Sequence, residues 1–297
     1  MPLRALRRSL LAPVLACAAG CVPADEALPL GGVEFTVIGP RTSTRVIPKE
    51  ELEDGWEITV DRFVVSFKTM TIVNESDSEQ CSYRGKGQTA NEVFDAAGEG
   101  YLVQSFNGFK PGDCPDVGMR LGPPDDRTTL GVGASVDDLH ALVLGRGGPA
   151  HALLEATARR RDPAGEERTL RLSLRFDTAQ TGASFGGCRD AVRGARIHPE
   201  ARYPVTVSFS ARPFFRTSFS PTARLRFDPY TYADAAGDDD GVVTMAELDA
   251  IPAFYAMPPG ATRSTMGAYV REQFRSTVAY GRGGLCFGLE PGFERRE

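Results

Sequence analysis

TLRLSLRF, Thr169–Phe176, sets Leu170, Leu172, Leu174 and Phe176 in strict alternation with Arg171, Ser173 and Arg175. A period of two marks a strand with one face on a core and the other in water. Just upstream, HALLEATARR (His151–Arg160) leads into Asp162-Pro163-Ala164-Gly165, whose residue types favour a turn, so the two segments are expected as a β-hairpin. GWEITVDRFVVSF (Gly55–Phe67) carries the same alternation with one slip. Trp56, Ile58 and Val60 are in phase, and after Asp61-Arg62 the apolar set resumes one residue out of phase as Phe63, Val65 and Phe67. Such a slip predicts a bulge or tight turn within a β pair. VEFTVIG (Val33–Gly39), TMTIV (Thr69–Val73) and PVTVSFS (Pro204–Ser210) add strand-like segments, whereas residues 74–128, rich in Gly, Pro, Asp and Ser, read as a long connection with little regular structure. Strands joined by turns rather than by regular helices predict a mainly β fold, with an antiparallel β-sandwich-like domain over residues 33–218.

Helical spacing enters in two places. Ser135-Val136-Asp137-Asp138 has the spacing of a capping box with Asp for Glu, which predicts a short helix through Leu142. From about Thr222 the period becomes helical, defining a segment over residues 219–297. Asp228-Pro229 reads as an N-cap followed by proline at the first helical position, opening a helix through Ala235. MAELDAI (Met245–Ile251) predicts a second helix, stopped by Pro252. A third is expected from about Ser264 to Tyr280, with Met266, Tyr269, Val270, Phe274 and Val278 on one face and Gly281, Gly283 and Gly284 beyond it.

The chain has 297 residues, 41% hydrophobic and 25% charged, which is ordinary globular composition for one large domain or two smaller ones. Its start, MPLRALRRSLLAPVLACAAGC, has three arginines and no acid, then an apolar run too short to span a bilayer, then small residues. That pattern predicts a bacterial export signal over residues 1–20 and a linker over 21–32. Ala18-Ala19-Gly20-Cys21 resembles a lipobox, which implies cleavage before Cys21, diacylglycerol on its sulfur and a membrane as partner through that anchor. Val14-Leu15-Ala16-Cys17 is a poorer match. The localisation implied is the bacterial cell envelope, periplasmic or at the cell surface.

Arg4, Arg7 and Arg8 are the only charged residues of that segment, so its removal takes the formal net charge from −5 to −8. An acidic exported chain argues against nucleic acid and is compatible with cations. With Cys21 lipidated and Cys17 removed, Cys81, Cys114, Cys188 and Cys286 remain, an even set that reads as two disulfides. Three connectivities are open, and Cys81–Cys114 with Cys188–Cys286 is favoured. No Cys-x-x-Cys occurs, which argues against a zinc ribbon or thioredoxin-type site.

The densest chemistry lies in ADAAGDDDGVVTMAEL, Ala233–Leu248. Gly241 supplies a sharp bend; Asp238 and Asp240 precede it at spacings of three and one, Val242 follows with its carbonyl, and Thr244 and Glu247 come after at three and six. Helix signals flank the loop, and Val243 is the apolar residue of a small pairing strand. This pattern resembles the EF-hand family of calcium-binding proteins over about residues 224–251. The resemblance implies oxygen ligation of Ca2+ by Asp238, Asp240, the Val242 carbonyl, Thr244 and a bidentate Glu247. The first ligand position departs from the family: Ala236 stands there and has no oxygen. Asp234, two residues earlier, restores that ligand if the loop is widened to residues 234–247. The expected affinity is weak, about 10⁻⁴ to 10⁻³ M, the range in which calcium is structural. Against this, Thr244 and Glu247 also fit a simple capping box.

The order of export signal, Trp56-x-Ile58-x-Val60, Arg62–Phe67, further strands, and LRFDPYTYADAAGDDDGVVTMAEL before a last helix is similar to lipoproteins of predatory and myxobacterial type. Some of these resemble periplasmic copper-binding β-sandwich proteins, which implies histidine or methionine ligands. The histidines here are His140, His151 and His198, none paired at ligand spacing, so copper is the lesser alternative. Gly182-Ala183-Ser184-Phe185-Gly186 matches the G-x-S-x-G turn of α/β-hydrolases, which would make Ser184 a nucleophile with His198 as its base. The surrounding strands do not alternate with helices, so a non-catalytic binding or structural protein is the expectation and a serine hydrolase its alternative. The sequence names no protein or ligand partner.

Overall fold

The structure is a computed structural model that describes residues 31–38, 45–74, 86–97, 101–109, 115–145, 148–162, 164–177, 184–188, 202–280, 284–285 and 287–289. Its elements, in chain order, are β1 (Gly31–Ile38), β2 (Val46–Ile47), β3 (Glu57–Asn74), β4 (Lys86–Asp95), β5 (Tyr101–Phe109), β6 (Pro115–Leu121), β7 (Thr129–Leu130), α1 (Val136–Leu144), β8 (Ala152–Arg161), β9 (Glu167–Phe176), β10 (Ser184–Cys188), β11 (Arg202–Phe209), α2 (Asp228–Ala236), β12 (Val242–Thr244), α3 (Met245–Ala250), α4 (Met266–Phe274), β13 (Val278–Tyr280), β14 (Gly284–Leu285) and β15 (Phe287–Leu289). One sheet has the order β14-β13-β11-β1-β5. The larger runs β12-β9-β8-β3-β6-β10-β15, with β2, β4 and β7 attached to it.

The fold is mainly β, as the alternating segments indicate. It is mixed rather than purely antiparallel, which corrects one expectation: β1 runs parallel to β11, β7 to β4 and β12 to β9. Parallel partners need a long crossover, and β12 reaches β9 only after β10, β11 and α2.

The hairpin forms as its turn chemistry indicates, with Ala152 opposite Phe176 and Arg161 opposite Glu167. Gly165 takes a φ of +87°, a conformation that suits glycine, and its amide bonds to the Asp162 carbonyl (3.0 Å). In β3 the register against β8 shifts between Val60 and Arg62. That bulge keeps Trp56, Ile58 and Val60 on the same buried face as Phe63, Val65 and Phe67, while Asp61 accepts a hydrogen bond from Thr157 Oγ1 (2.7 Å) in an exposed position.

Residues 74–128 are not the irregular connection expected of their composition. β4 and β6 flank the distal half of β3, and β5 pairs with β1. The eighteen residues of β3 offer two hydrogen-bonding edges, and backbone pairing to them, rather than apolar alternation, defines these strands. The last helix is also shorter than its apolar face suggests. Thr265 caps it by accepting from the Ala268 amide (3.2 Å), Phe274 ends it, and Thr277 Oγ1 donates to the Phe274 carbonyl (2.7 Å). Val278 remains buried, but in β13, opposite Phe209.

A single large core joins the sheet to the segment that follows it. Leu170, Leu172, Leu174 and Phe176 are at most 2% exposed, and with the β3 face they meet Phe209, Phe214, Tyr230, Val243, Leu248, Tyr269 and Phe274 in one cluster. Phe63 makes edge contacts with Phe209, Phe214 and Phe274, and Phe176 packs on Phe214 and Phe274 at ring separations of 5.1 and 4.8 Å. Aromatic pairs of this kind add to what area burial alone contributes. On the opposite face, Val64, Val93 and Leu153 pack under Leu142 of α1, whose Ser135–Asp138 capping box forms as its spacing predicts.

Candidate metal centre

Three of the six sequence-derived ligands converge. One carboxylate oxygen from each of Asp234, Asp238 and Glu247 lies within 4.8 Å of the others, a spread that a single ion with oxygen bonds of about 2.4 Å can bridge. Asp234, not Ala236, thus stands at the head of the loop, because α2 continues two residues past it.

Local structure explains the convergence. Asp228 is the first helical residue of α2 rather than its cap, and the preceding Phe227 offers no side-chain oxygen. The cap comes from far along the chain: Asp54 Oδ2 accepts from the amides of Phe227 and Asp228, the second at 2.7 Å. Trp56, packed against Phe227 with the rings tilted by 46°, donates from Nε1 to Asp228 Oδ1 (3.2 Å), and Arg160 lies over the Trp56 ring and pairs with the same oxygen (3.0 Å). After α2 the chain turns back through two left-handed residues, Asp239 (φ +54°) and Gly241 (φ +82°). The Asp239 amide bonds to the Asp234 carbonyl (3.0 Å) and the Gly241 amide to Asp234 Oδ1 (2.9 Å).

The carboxylates differ in what they can still bind. Asp234 is 2% exposed, and no described residue donates to its Oδ2. Glu247 Oε2 accepts from the amide and hydroxyl of Thr244 (2.7 and 2.9 Å), while its Oε1 is buried without a hydrogen-bond partner. Asp238 is exposed and accepts from no described residue. None of the three is in an ion pair with a described residue, so no countercharge among the described residues offsets their mutual repulsion. Buried carboxylate oxygens without donors are costly, and a hard cation satisfies them.

The other three implied ligands are placed differently. Asp240 Oδ1 accepts from the Val242 amide (2.8 Å) and stands outside the group of three. The Val242 amide therefore faces the loop and not β9, and its carbonyl, on the same edge of a strand, faces that side too. Thr244 acts as N-cap of α3, so the capping box and the carboxylate group share Glu247. Sequence reasoning missed Gly237: a Cβ there would collide with Glu247 Oε1. The only sign of it was a glycine between the end of a helix and Asp238. It missed Asp54 altogether, since a cap from 174 residues away leaves no local signal.

Elsewhere, Ser184 opens β10 with Arg120 and Leu289 opposite it, where a nucleophile elbow requires a turn between strand and helix. His198 lies outside the described residues. His140 is exposed on α1, and His151 is buried against Phe274, so these two do not form a ligand pair. Cys188 ends β10, whereas Cys21, Cys81, Cys114 and Cys286, the proposed lipid site and three of the disulfide candidates, lie outside the described residues, as do the signal segment 1–20 and residues 21–30 of the expected linker 21–32, whose Gly31 and Gly32 instead open β1. Among the described residues no helix is long and apolar enough to cross a membrane. Comparison with known proteins finds no matching family model, no similar curated protein and no similar solved structure. The functional reading therefore rests on this chain's own residues.

Proposed function

We propose that this chain is an exported, lipid-anchored, calcium-binding protein of the bacterial cell envelope with a structural or binding role and no catalytic one. The observation that supports the metal is the convergence of Asp234, Asp238 and Glu247, two of them with buried or unpartnered oxygens directed at one another's neighbourhood. Calcium suits the site better than magnesium, because three carboxylates from two short helices and the loop that joins them, with its two left-handed residues, form a charged, adaptable oxygen set, whereas magnesium requires tight octahedral geometry. Softer metals are disfavoured, since neither histidine nor cysteine belongs to the group. The export segment and Cys21 support the anchor.

Two experiments test this. Calorimetric titration with calcium chloride is expected to give saturable binding with a Kd of about 10⁻⁴ to 10⁻³ M, as for extracellular modules. Affinity should fall at least about tenfold in Asp234→Asn and in Glu247→Gln; absence of binding by the parent chain at millimolar calcium rejects the reading. Metabolic labelling with a fatty acid in a bacterial host should tag the parent chain and not Cys21→Ala, and equal labelling of both would remove the anchor.

A further inference from the structure

Two of the ligands, the buried Asp234 and the half-buried Glu247, hold opposite ends of the same short strand. At one end, Asp234 Oδ1 accepts from the Gly241 amide (2.9 Å), and the Gly241 carbonyl in turn accepts from the Arg171 amide of β9 (2.9 Å). One residue thus links a metal-facing carboxylate to the sheet. At the other end, Glu247 Oε2 takes both the amide and the hydroxyl of Thr244, the last residue of β12, which lies opposite Ser173. Between these grips only Val242 and Val243 remain, opposite Arg171 and Leu172, so β12 has little pairing of its own.

We infer that cation binding by Asp234, Asp238 and Glu247 sets how firmly β12 is clasped to the edge of β9, making the loop a metal-dependent clasp on the large sheet. The inference rests on the proposed calcium site. It follows from two facts: the carboxylates that would share the ion are the groups that position both ends of β12, and without a cation they repel one another at close range. The site is more than an acidic cluster, because Asp234 is almost wholly buried with one oxygen lacking a donor, and Glu247 Oε1 is buried with none. Occupancy draws the three together and fixes Gly241 and Thr244; its loss loosens the outermost strand and leaves the Arg171 amide intermittently unpaired.

Amide hydrogen exchange on the full chain, in calcium chloride and in chelator, tests this. At calcium about ten times its Kd, opening of the clasp should be suppressed about tenfold, seen as slower exchange at Arg171 and at residues 241–244. The amides of Phe63–Val65, in the middle of the sheet, should be unchanged. Asp238→Asn removes a ligand that makes no hydrogen bond to β12: it should abolish the calcium response, and because it also removes one of the repelling charges, exchange in chelator should be no faster than in the parent chain. Calcium binding by calorimetry with no change at Arg171 and residues 241–244, or with equal slowing at Phe63–Val65, overturns the clasp while leaving the metal site standing. Absence of calcium binding overturns both.

Discussion

Glu247 divides its carboxylate: Oε2 closes a capping box with Thr244, and Oε1 is left buried over Gly237. The two roles separate by substitution. Glutamine also completes capping boxes, so Glu247→Gln should preserve the stability of α3 in chelator while lowering calcium affinity at least about tenfold, the cost of one lost charged ligand. Calorimetry and urea unfolding of the same variant check the two halves. Gly237→Ala should lower affinity by the other route, leaving every charge in place while its methyl displaces Oε1. His151 belongs to this scale as well. It is fully buried against Phe274, and burial pushes its pKa from 6.5 down to about 3. The unfolded chain takes up this proton near pH 6.5 and the native chain only near 3, so the stability tied to a neutral His151 is complete above 6.5 and is lost as pH falls. In His151→Leu, unfolding free energy between pH 6.5 and 4.5 should fall less steeply than in the parent chain, by up to about 1.4 kcal/mol per pH unit. Equal slopes would show that His151 accepts its proton in the folded chain.

At the scale of elements, α2 is held by groups outside itself. Removing the side-chain cap that Asp54 supplies, Asp54→Ala, should cost about 1–2 kcal/mol in urea unfolding and weaken calcium binding, because α2 carries Asp234. The same dependence explains what could be read from sequence. β8 and β9 were legible because alternation and a turn lie within one stretch, and the β3 bulge because the apolar phase slips at Asp61-Arg62. β4, β5 and β6 were not, since residues such as Gly87, Asn91, Asp95, Gly108 and Gly118 enter strands only when β1 and β3 supply edges to pair with. The stretch Thr277–Tyr280 carried a helical face in sequence yet pairs with β11, a partner about seventy residues away. In the site, the spacing of Asp238 and Glu247 was legible in the loop itself. Asp234 became a ligand candidate only by allowing the loop to widen, which the continuation of α2 to Ala236 accounts for. The pairing of β12 with β9 left no trace, because parallel partners in three-residue contact share no pattern.

For the whole molecule the consequence of one continuous core is cooperativity. The loop is not attached to the β layer by a linker: Tyr230, Ala233, Val243, Met245 and Leu248, all within twelve residues of Asp238, belong to the same buried cluster as Phe63 and Leu172. A ligand bound there should stabilise the chain as a unit and not merely its own segment. The protein carries its own reporter of this. Trp56 is the sole tryptophan, and it sits at the seam, fully buried, leading into β3 yet packed against Phe227 and bonded to Asp228 of α2. Thermal melts followed by tryptophan fluorescence, which reads the seam, and by far-UV circular dichroism, which reads the sheets, should therefore coincide both in calcium and in chelator. At calcium about ten times the Kd the common midpoint should rise by about 2–5 °C, the shift that roughly 1.4 kcal/mol produces in a chain of this size. A fluorescence transition that precedes the dichroism in chelator would mean that α2 and its loop melt away from a sheet that survives them, and that the shared core is too weak to couple the two. Coincident curves that ignore calcium would keep the core and remove the metal.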